Sequence, residues 1–476
     1  MSSHSGWTSL REDQGLKMNN ETWLNSMRAY DKNPFEWDKP SLTGQCHLFR
    51  DVVSKEPDKF LELIHEAIKD DCILLAYPQA GMQGLLDAGR KDEAMQVLQE
   101  ILEVIGYDVN STVRGFSLHS LLFALNDIAK TGPVPEIVFA LFCNAVLNAK
   151  EPEEDTHQTE KDVYNVGMNQ SRGNAGYMLV ECAREEKYGE RIFSTFEQIA
   201  ETSSVYTRGA ILLNMAALNF VDKDRNVRLF KTILYDYNPR LMAMPVHNYN
   251  PLVYFVNYAA GELMDFFQHA ADCPECYREQ VIILWLAWSH NNHDERIKVL
   301  LDKMCDNSED ARISLMEFFC TLNEKMGEDA VCYIMHFMAK QFDSPRMGEV
   351  CDNLFHYTKN WPEDITRRVA EAYVSSPLSK HKTRTFIGFL AGYAIVNPIQ
   401  TLIWLELVMG DNIPNEYHTW NNVVDVIIQS YNGIKQFNDS SCQDALENAL
   451  DLIDTIMQNP SNKNLIGNFI NKLDNE

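Results

Sequence analysis

The amino-acid sequence predicts an all-α fold, built as an α-solenoid of stacked antiparallel helix pairs, and three observations lead to this prediction. Apolar residues recur at three- and four-residue spacing along most of the chain, while patterns typical of strands are weak. Short polar turns separate the periodic runs, and such turns place successive helices antiparallel and adjacent. An Arg-Gly pair begins an apolar run three times, which indicates a recurring helix–turn–helix unit. The pairs are Arg114-Gly115, Arg172-Gly173 and Arg208-Gly209.

Length and charge limit the classes of function. The chain has 476 residues, enough for a large continuous core or for two to three domains. Its 45% hydrophobic and 23% charged residues are typical of a folded protein rather than a disordered one. The formal net charge of −26 argues against nucleic acid as a general ligand, because phosphate binding needs a basic surface. It argues equally against binding to an anionic membrane.

Several features predict a cytoplasmic protein without a membrane span. The first residues lack the apolar segment of a secretory signal peptide. The eleven cysteines show no framework spacing, and their odd number favours reduced thiols. The most apolar stretch, residues 385–410, is interrupted by Pro398, Gln400 and Glu406. It therefore predicts two buried helices that break at Asn397-Pro398.

Composition and helix breakers predict five segments along the chain. Residues 1–20 are expected to form a flexible lead-in, and the polar, acidic residues 151–165 are expected to form a connecting loop. Helical repeats are predicted between and after them: an N-terminal set over 21–150, a central set over 166–330 and a C-terminal set over 331–476.

The central set carries the clearest helical pattern. Four helices of about 12–15 residues are predicted between positions 170 and 235, with no internal proline. The third is expected to continue through Ile211, Met215 and Leu218, because their spacing places them on one helix face. A single pair of such helices cannot bury its apolar stripe alone, so stacking between units must complete the core.

The recurring arginines and glycines are predicted to have structural roles. A glycine near a helix start lets the backbone approach a neighbouring helix closely. The arginine beside it can lie over that helix and pair with an acidic side chain or a carbonyl of the adjacent unit, as in HEAT-type repeats. Later units keep the arginine without the glycine, at Arg312 and Arg368. A direct ligand-binding role for Arg172 or Arg208 is the alternative.

Motifs of catalysis and cofactor binding are sparse. The chain has no G-x-x-x-x-G-K-[ST], G-x-G-x-x-G, G-x-S-x-G or H-E-x-x-H, so we expect no enzyme activity and no cofactor. One weak candidate metal site combines Cys273 and Cys276 with His290 and His293, residue types that suit zinc. The run between the two pairs is expected to be a helix about 20 Å long, which would hold the pairs apart, so we predict no metal.

Three stretches of the central set carry a family resemblance: NQSRG at 169–173, TRGAILL at 207–213 and DRNVRLF at 224–230. Together they resemble the C-terminal helical-repeat region of large bacterial STAND NTPases, including the antiviral type that senses phage proteins. EPDKFLELI at 56–64 and ALDLIDTIM at 449–457 are similar to further helices of that region. Near the chain start, six residues follow the family's W-L-x-x-M-R-x-Y-D helix, namely Trp23, Leu24, Met27, Arg28, Tyr30 and Asp31.

The resemblance implies a ligand-sensing portion of such a protein, without the family's effector and P-loop ATPase domains. We therefore expect a non-catalytic protein-recognition module whose partner is a phage protein or a companion NTPase. The acidic surplus favours a basic patch on that partner. Two alternatives stay open: a structural scaffold or assembly subunit, and a zinc-binding or enzymatic protein that uses the Cys–His set. The sequence does not indicate the oligomeric state.

Overall fold

The computed structural model describes residues 10–29, 41–151, 163–244, 250–322, 326–339, 344–358, 361–381, 383–409 and 417–437, with Asp444, Glu447 and residues 450–454. Every regular element in this part of the chain is a helix, which confirms the predicted all-α fold. Contacts divide the chain into two compact units, 1–263 (unit 1) and 264–476 (unit 2). This boundary lies inside the predicted central set of repeats, and residues 152–162 of the predicted acidic loop lie outside the described residues.

The α-helices of unit 1 are α1 Glu12–Gly15, α2 Asn20–Ala29, α3 Leu42–Lys55, α4 Pro57–Lys69, α5 Ala76–Asp87, α6 Lys91–Val104, α7 Leu118–Thr131, α8 Glu136–Asn148, α9 Val163–Asn169, α10 Ser171–Glu181, α11 Gly189–Ile199, α12 Val205–Leu212, α13 Lys223–Ile233, α14 Pro239–Met242 and α15 Pro251–Phe255. Short 3₁₀ helices lie between them, at Val113–Gly115, Cys182–Arg184, Glu186–Tyr188, Met215–Phe220 and Ala260–Leu263.

The α-helices of unit 2 are α16 Met264–Ala271, α17 Tyr277–His290, α18 Glu295–Asn307, α19 Glu309–Cys320, α20 Glu328–Ala339, α21 Pro345–Leu354, α22 Glu363–Val374, α23 Arg384–Tyr393, α24 Pro398–Met409 and α25 Tyr417–Phe437. Two 3₁₀ helices of this unit are Pro274–Cys276 and Pro377–Lys380.

Helices within each unit pack against the next helix and against the second helix along the chain. In unit 1, α3 packs on α4 and α5, α5 on α6 and α7, and α10 on α8 and α12. In unit 2, α17 packs on α18 and α19, α19 on α21, α21 on α23, and α23 on α24 and α25. This is the packing of stacked helical repeats, in which each pair buries its apolar stripe against the next pair. The solenoid path of the whole chain stays a prediction.

Residues 1–9 of the predicted flexible lead-in lie outside the described residues, and its described part contains a short helix. Residues 12–15 form α1, which packs against α3. Gly15 is buried, and the indole N–H of Trp23 donates to its carbonyl oxygen at 3.1 Å. The Trp23 ring is fully buried, with its centroid 5.2 Å from that of Phe49 and 6.3 Å from that of Phe60. Aromatic packing around Trp23 therefore holds α1 in place.

The most apolar stretch forms two helices, as predicted. α23 ends at Tyr393 and α24 begins at Pro398, so the helical segment is interrupted just before Pro398, as expected. Proline is favoured at the first position of a helix because its missing N–H needs no partner there. Among the described helices, none is both long enough and apolar enough to cross a membrane.

Three glycines allow α9, α10 and α12 to pack closely. A Cβ on Gly173 would lie 2.2 Å from the carbonyl oxygen of Gly167, and one on Gly167 would lie 2.1 Å from that of Tyr206. A Cβ on Gly209 would lie 3.0 Å from Val163, a tight contact with a side chain rather than with the backbone. Only glycine therefore fits at positions 167 and 173 without moving a helix.

We predict that Gly173→Ala destabilises unit 1 by about 2–3 kcal/mol, because the added methyl group meets a backbone oxygen that cannot rotate away. Urea denaturation followed by circular dichroism measures this loss.

Gly261→Ala is the matched control in the same unit, since a Cβ there meets no heavy atom within 4 Å. We expect Gly261→Ala to change stability by no more than about 0.5–1 kcal/mol, in the stabilising direction. Equal denaturation midpoints for the two variants would contradict the proposed close contact.

Candidate binding groove

The first of the predicted repeat arginines caps the end of a helix. Arg114 lies before α7, and its side chain extends to the C-terminal end of α4. Its Nη1 and Nη2 donate to the carbonyl oxygens of Ile68 and Ala67 at 2.6 and 2.8 Å, and its Nε donates to that of Ile73 at 2.6 Å. The last turn of an α-helix leaves carbonyls without internal partners, and a cation there also opposes the helix dipole.

The same contact recurs at three other predicted positions, where an arginine near a helix start donates to a carbonyl in the last turn of a neighbouring helix. Arg172 of α10 donates to Val146 of α8 at 2.7 Å, Arg208 of α12 to Ile233 of α13 at 3.0 Å, and Arg312 of α19 to Cys305 of α18 at 2.5 Å. Burial lowers the pKa of Arg114 and Arg312, but a guanidinium remains protonated at neutral pH.

Two of these arginines also hold a carboxylate. Arg172 Nη1 lies 2.6 Å from Glu151, whose other oxygen accepts from the hydroxyls of Ser204 and Thr207 at 2.7 and 2.8 Å. Glu151 therefore ties α10 to the start of α12. Arg208 is 5% exposed, and it donates a hydrogen bond of 2.9 Å to each carboxylate oxygen of Asp236.

Arg368 and Gly115 have other roles. Arg368 donates two hydrogen bonds, of 2.9 and 2.6 Å, to Glu328 at the start of α20. Gly115 has a φ of +66°, directly after Arg114 at +49°. This left-handed region favours glycine, and the hydrogen bonds of Arg114 offset the strain of placing a larger residue there. Arg208 also lines a polar depression of about 590 Å³ in unit 1, which is the feature that its alternative ligand-binding role would use.

The candidate zinc ligands lie at opposite ends of α17. Cys273 and Cys276 precede the helix, and burial raises the pKa of both thiols. His290 ends the helix and His293 follows it, with His293 Nε2 2.7 Å from Asp329. At about 1.5 Å per residue, a helix of 14 residues spans about 21 Å, so the structure does not bring the two pairs together. No group of three or more potential ligands occurs in the described parts of the chain.

An open groove in unit 1, with a volume of about 1,280 Å³, is a site that the sequence analysis missed. Its walls come from the end of α7, the end of α10 and the following 3₁₀ turn, the 3₁₀ helix Met215–Phe220, the start of α13, and α15 with the turn after it. We call this feature the groove.

The groove exists because α12 ends early. The predicted helix through Met215 and Leu218 is wrong in its second half: α12 stops at Leu212, and 3₁₀ helix begins at Met215. Both residues are still buried, because a 3₁₀ helix has three residues per turn and places positions i and i+3 on one side. The opposite side, including Asn219 and Phe220, lines the groove.

Buried side-chain amides stabilise this break. Asn214, between the two helices, donates to Glu181 Oε1 at 2.7 Å. The fully buried Asn226 donates to the Met215 carbonyl oxygen at 3.0 Å and to Asn219 Oδ1 at 2.9 Å. The Met215 backbone carbonyl thus receives a hydrogen bond from the distant Asn226, and side-chain bonds fix Asn214 and Asn219 at the two ends of the 3₁₀ segment. The asparagines on either side of Met215–Leu218 are the sequence signal that could have indicated the break.

Aromatic side chains dominate the exposed surface of the groove. Phe220 is 93% exposed at the end of its 3₁₀ helix, and Tyr254 and Tyr258 are 44% and 40% exposed. The Tyr258 hydroxyl donates to Asn219 Oδ1 at 2.8 Å. Burial, with the nearby carboxylates of the same unit, raises the pKa of Tyr258 to about 12, so the hydroxyl keeps its proton at neutral pH. Phe220, Tyr254 and Tyr258 together form an exposed aromatic cluster, a kind of surface that often serves as a contact site.

The charges that line the groove differ from the acidic character of the chain as a whole, on which the expected basic patch of the partner was based. Its lining contains the cations Lys130, Arg184 and Lys223 against two carboxylates, Glu181 and Glu186. Arg184 Nη2 lies 2.7 Å from the buried Glu181, and Arg184 Nη1 donates to the Lys130 carbonyl oxygen at 2.9 Å. In a chain of net charge −26, this lining is locally cationic. The lining of the groove therefore offers aromatic faces, side-chain amides and ammonium groups to a bound molecule.

A smaller cavity of about 370 Å³ lies in unit 2, between α17, α18 and α20. Trp288, Tyr333 and Phe337 form its apolar walls. Two of its three carboxylates are held by partners of the same unit: Tyr333 donates to Asp302 at 2.6 Å, and His293 lies 2.7 Å from Asp329. Because these groups already pair with one another, we consider the groove in unit 1 the stronger candidate.

Comparison of the chain with protein-family models, with curated proteins and with solved structures finds no match. The likeness to STAND sensor regions therefore rests on the quoted residues alone. Function has to be argued from the geometry and chemistry of the groove, since a helical-repeat fold supports many functions.

We predict that Arg208→Ala destabilises unit 1 by about 2–3 kcal/mol, because the Ile233 carbonyl loses a donor and Asp236 loses its counter-ion. The matched control is Arg228→Ala, which removes an exposed arginine from α13 and should cost no more than about 0.5 kcal/mol. Urea denaturation of both variants measures the difference, and a loss at Arg208 no larger than that at Arg228 would show that the cap is not stabilising.

The contribution of Arg208 to the stability of unit 1 should also depend on pH. Burial opposes ionisation of Asp236, but the hydrogen bonds and charge of Arg208, with the Asn238 N–H, overcome it and lower the pKa of Asp236 below its usual value. A lowered carboxyl pKa contributes stability that is present above the unfolded-state value, about 4, and is lost as the pH falls through the folded-state value. The stability gap between the wild type and Arg208→Ala should therefore narrow below about pH 4, as denaturation at several pH values can measure.

Proposed function

We propose that this chain is a non-catalytic, cytoplasmic protein-recognition module that binds a partner protein through the groove in unit 1. The observation that carries the proposal is Phe220, which is 93% exposed beside Tyr254 and Tyr258. Exposed aromatic side chains at a concave surface are typical of protein interfaces, where Tyr, Trp and Phe are enriched. The module would act in the manner of the ligand-sensing C-terminal part of an antiviral STAND NTPase, which the quoted residues resemble.

The size of the groove favours a protein segment over a small molecule. Pockets for small ligands usually enclose about 300–1,000 Å³. The groove measures about 1,280 Å³ and is partly open to solvent. It can therefore accommodate several residues of a partner chain.

Most of the binding free energy would come from the aromatic residues of the groove. Full burial of a phenylalanine side chain stabilises a complex by about 1.5–3 kcal/mol, because apolar surface leaves water. Tyr254 and Tyr258 can add stacking contacts while the Tyr258 hydroxyl stays hydrogen-bonded to Asn219. Interfaces commonly depend on a few such residues, so Phe220 is expected to be a binding hot spot.

The charges indicate the chemistry of the bound segment. Lys130 and Lys223 line the groove, and Lys223 Nζ lies 5.4 Å from the centre of the Tyr258 ring. A segment that places a bulky apolar residue on Phe220 and a carboxylate near either ammonium group would complement this lining. A phage protein or a companion NTPase are the two sources of such a segment that the resemblance implies. Nucleic acid fits less well, because the chain as a whole is strongly acidic.

We predict that Phe220→Ala lowers capture of the partner at least tenfold, a factor that corresponds to about 1.4 kcal/mol of binding free energy. The tagged chain is recovered from its host, with and without phage infection, and bound proteins are quantified by mass spectrometry. Because Phe220 is almost fully exposed, the variant should unfold at the wild-type temperature.

Phe123→Ala provides the matched control, since Phe123 is 59% exposed on α7 but does not line the groove. The proposal is supported if a partner protein is retained by the wild type and by Phe123→Ala but is lost from Phe220→Ala. Equal retention by both variants would refute the groove as the binding site. Recovery of the chain itself as the sole bound protein would favour the scaffold alternative.

A further inference from the structure

We propose that Cys273 and Cys276 form a reversible dithiol–disulfide site, oxidised by small-molecule disulfides such as oxidised glutathione. The two Sγ atoms lie 3.1 Å apart at the turn between α16 and α17. A disulfide bond needs a separation of about 2.05 Å, so closure requires a movement of about 1 Å. This inference goes beyond the proposed binding function, because the site lies in unit 2 and does not involve the groove.

The backbone already has the geometry that a disulfide needs. The Cys276 N–H donates to the Cys273 carbonyl oxygen at 3.0 Å, which closes a four-residue turn. Such a turn keeps the first and last Cα atoms less than about 7 Å apart, a range that covers most disulfides. Pro274, the second residue of the turn, restricts φ and so limits other conformations. The two thiols are thus arranged for reaction with each other.

The surroundings of the turn would tolerate the bond. The Tyr277 hydroxyl donates to the Ala271 carbonyl oxygen at 2.9 Å, and Lys303 pairs with Asp272. These contacts hold the chain on both sides of the cysteines before any bond forms. Oxidation would therefore lock an existing turn between α16 and α17, rather than require a rearrangement of either helix.

The reaction balances as two thiol–disulfide exchanges. The thiolate of Cys273, the less buried of the two cysteines, attacks one sulfur of oxidised glutathione and releases one reduced glutathione, which takes up the proton. Cys276, after losing its proton to solvent, then attacks Cys273 Sγ and releases the second glutathione. The cysteine pair is oxidised by two electrons, and the glutathione disulfide is reduced to two thiols.

The other described cysteines provide an internal comparison. Cys72 and Cys332 are exposed, so glutathione can reach them directly. Burial slows the attack of Cys273 on oxidised glutathione, and the reaction is therefore measured at equilibrium. The second exchange is intramolecular, which gives Cys276 a high effective concentration and favours the protein disulfide over a mixed disulfide.

The test uses the full chain, equilibrated with graded ratios of oxidised to reduced glutathione, quenched with acid, alkylated and digested for mass spectrometry. We expect the mass of the peptide that contains Cys273 and Cys276 to be lower than that of its reduced form by two hydrogen atoms. This peptide should carry neither an alkyl group nor glutathione. Half-oxidation should occur at an oxidised glutathione concentration about tenfold lower than half-modification of Cys72 or Cys332, because the resolving thiol is intramolecular. Reduced dithiothreitol should reverse the bond fully.

Cys276→Ser is the matched variant, since it leaves Cys273 without a resolving thiol. It should accumulate a mixed disulfide of Cys273 with glutathione, and an unchanged melting temperature would show that it folds. The proposal is overturned if both wild-type thiols remain alkylated when Cys72 and Cys332 are fully modified. Glutathione on both Cys273 and Cys276 would overturn it equally. Neither outcome affects the proposed partner binding, which Phe220→Ala tests separately.

Discussion

The hydrogen-bonding requirement of helix ends underlies much of this structure. Each α-helix leaves carbonyl groups in its last turn without internal partners, and short helices multiply the number of such ends. Arg114, Arg172, Arg208 and Arg312 each donate to these carbonyls from another helix. The guanidinium suits this role because it has five donors and remains charged when buried. One side chain thus satisfies a helix end and joins two helices of a unit.

The groove follows from the same requirement. α12 can end at Leu212 because Asn226 bonds the carbonyl of Met215 and Asn214 bonds Glu181. A continued α-helix would bond the Met215 carbonyl within its own backbone and would rotate the following residues to different sides. The shift to a 3₁₀ helix keeps Met215 and Leu218 in the core and directs Phe220 outward. The buried amide network and the exposed aromatic residue therefore belong to one structural feature.

The predictions differed in outcome for physical reasons. The break before Pro398 was predictable, because proline acts on the backbone directly. The separation of the Cys and His pairs was predictable too, since the length of α17 follows from its residue count. The apolar spacing did not predict the break after Leu212, because α and 3₁₀ helices both place residues i and i+3 on one side; only Asn214 and Asn219 pointed to it. The position of residues 12–15 was also missed, since Gly15 is held by Trp23, which packs edge-on or tilted against the distant Phe49 and Phe60.

The sequence by itself determined the helical class, the positions of the repeat arginines and the glycines that permit close approach. These are local properties, since apolar spacing and the absence of a Cβ act within a turn or two of the chain. Only the tertiary structure decided which carbonyl each arginine reaches: Arg172 of α10 bonds the earlier α8, whereas Arg208 of α12 bonds the later α13. It also decided that Phe220 is exposed and that Cys273 and Cys276 meet. Hydrogen-bond satisfaction and burial depend on residues far apart in the chain, and periodicity carries no information about them.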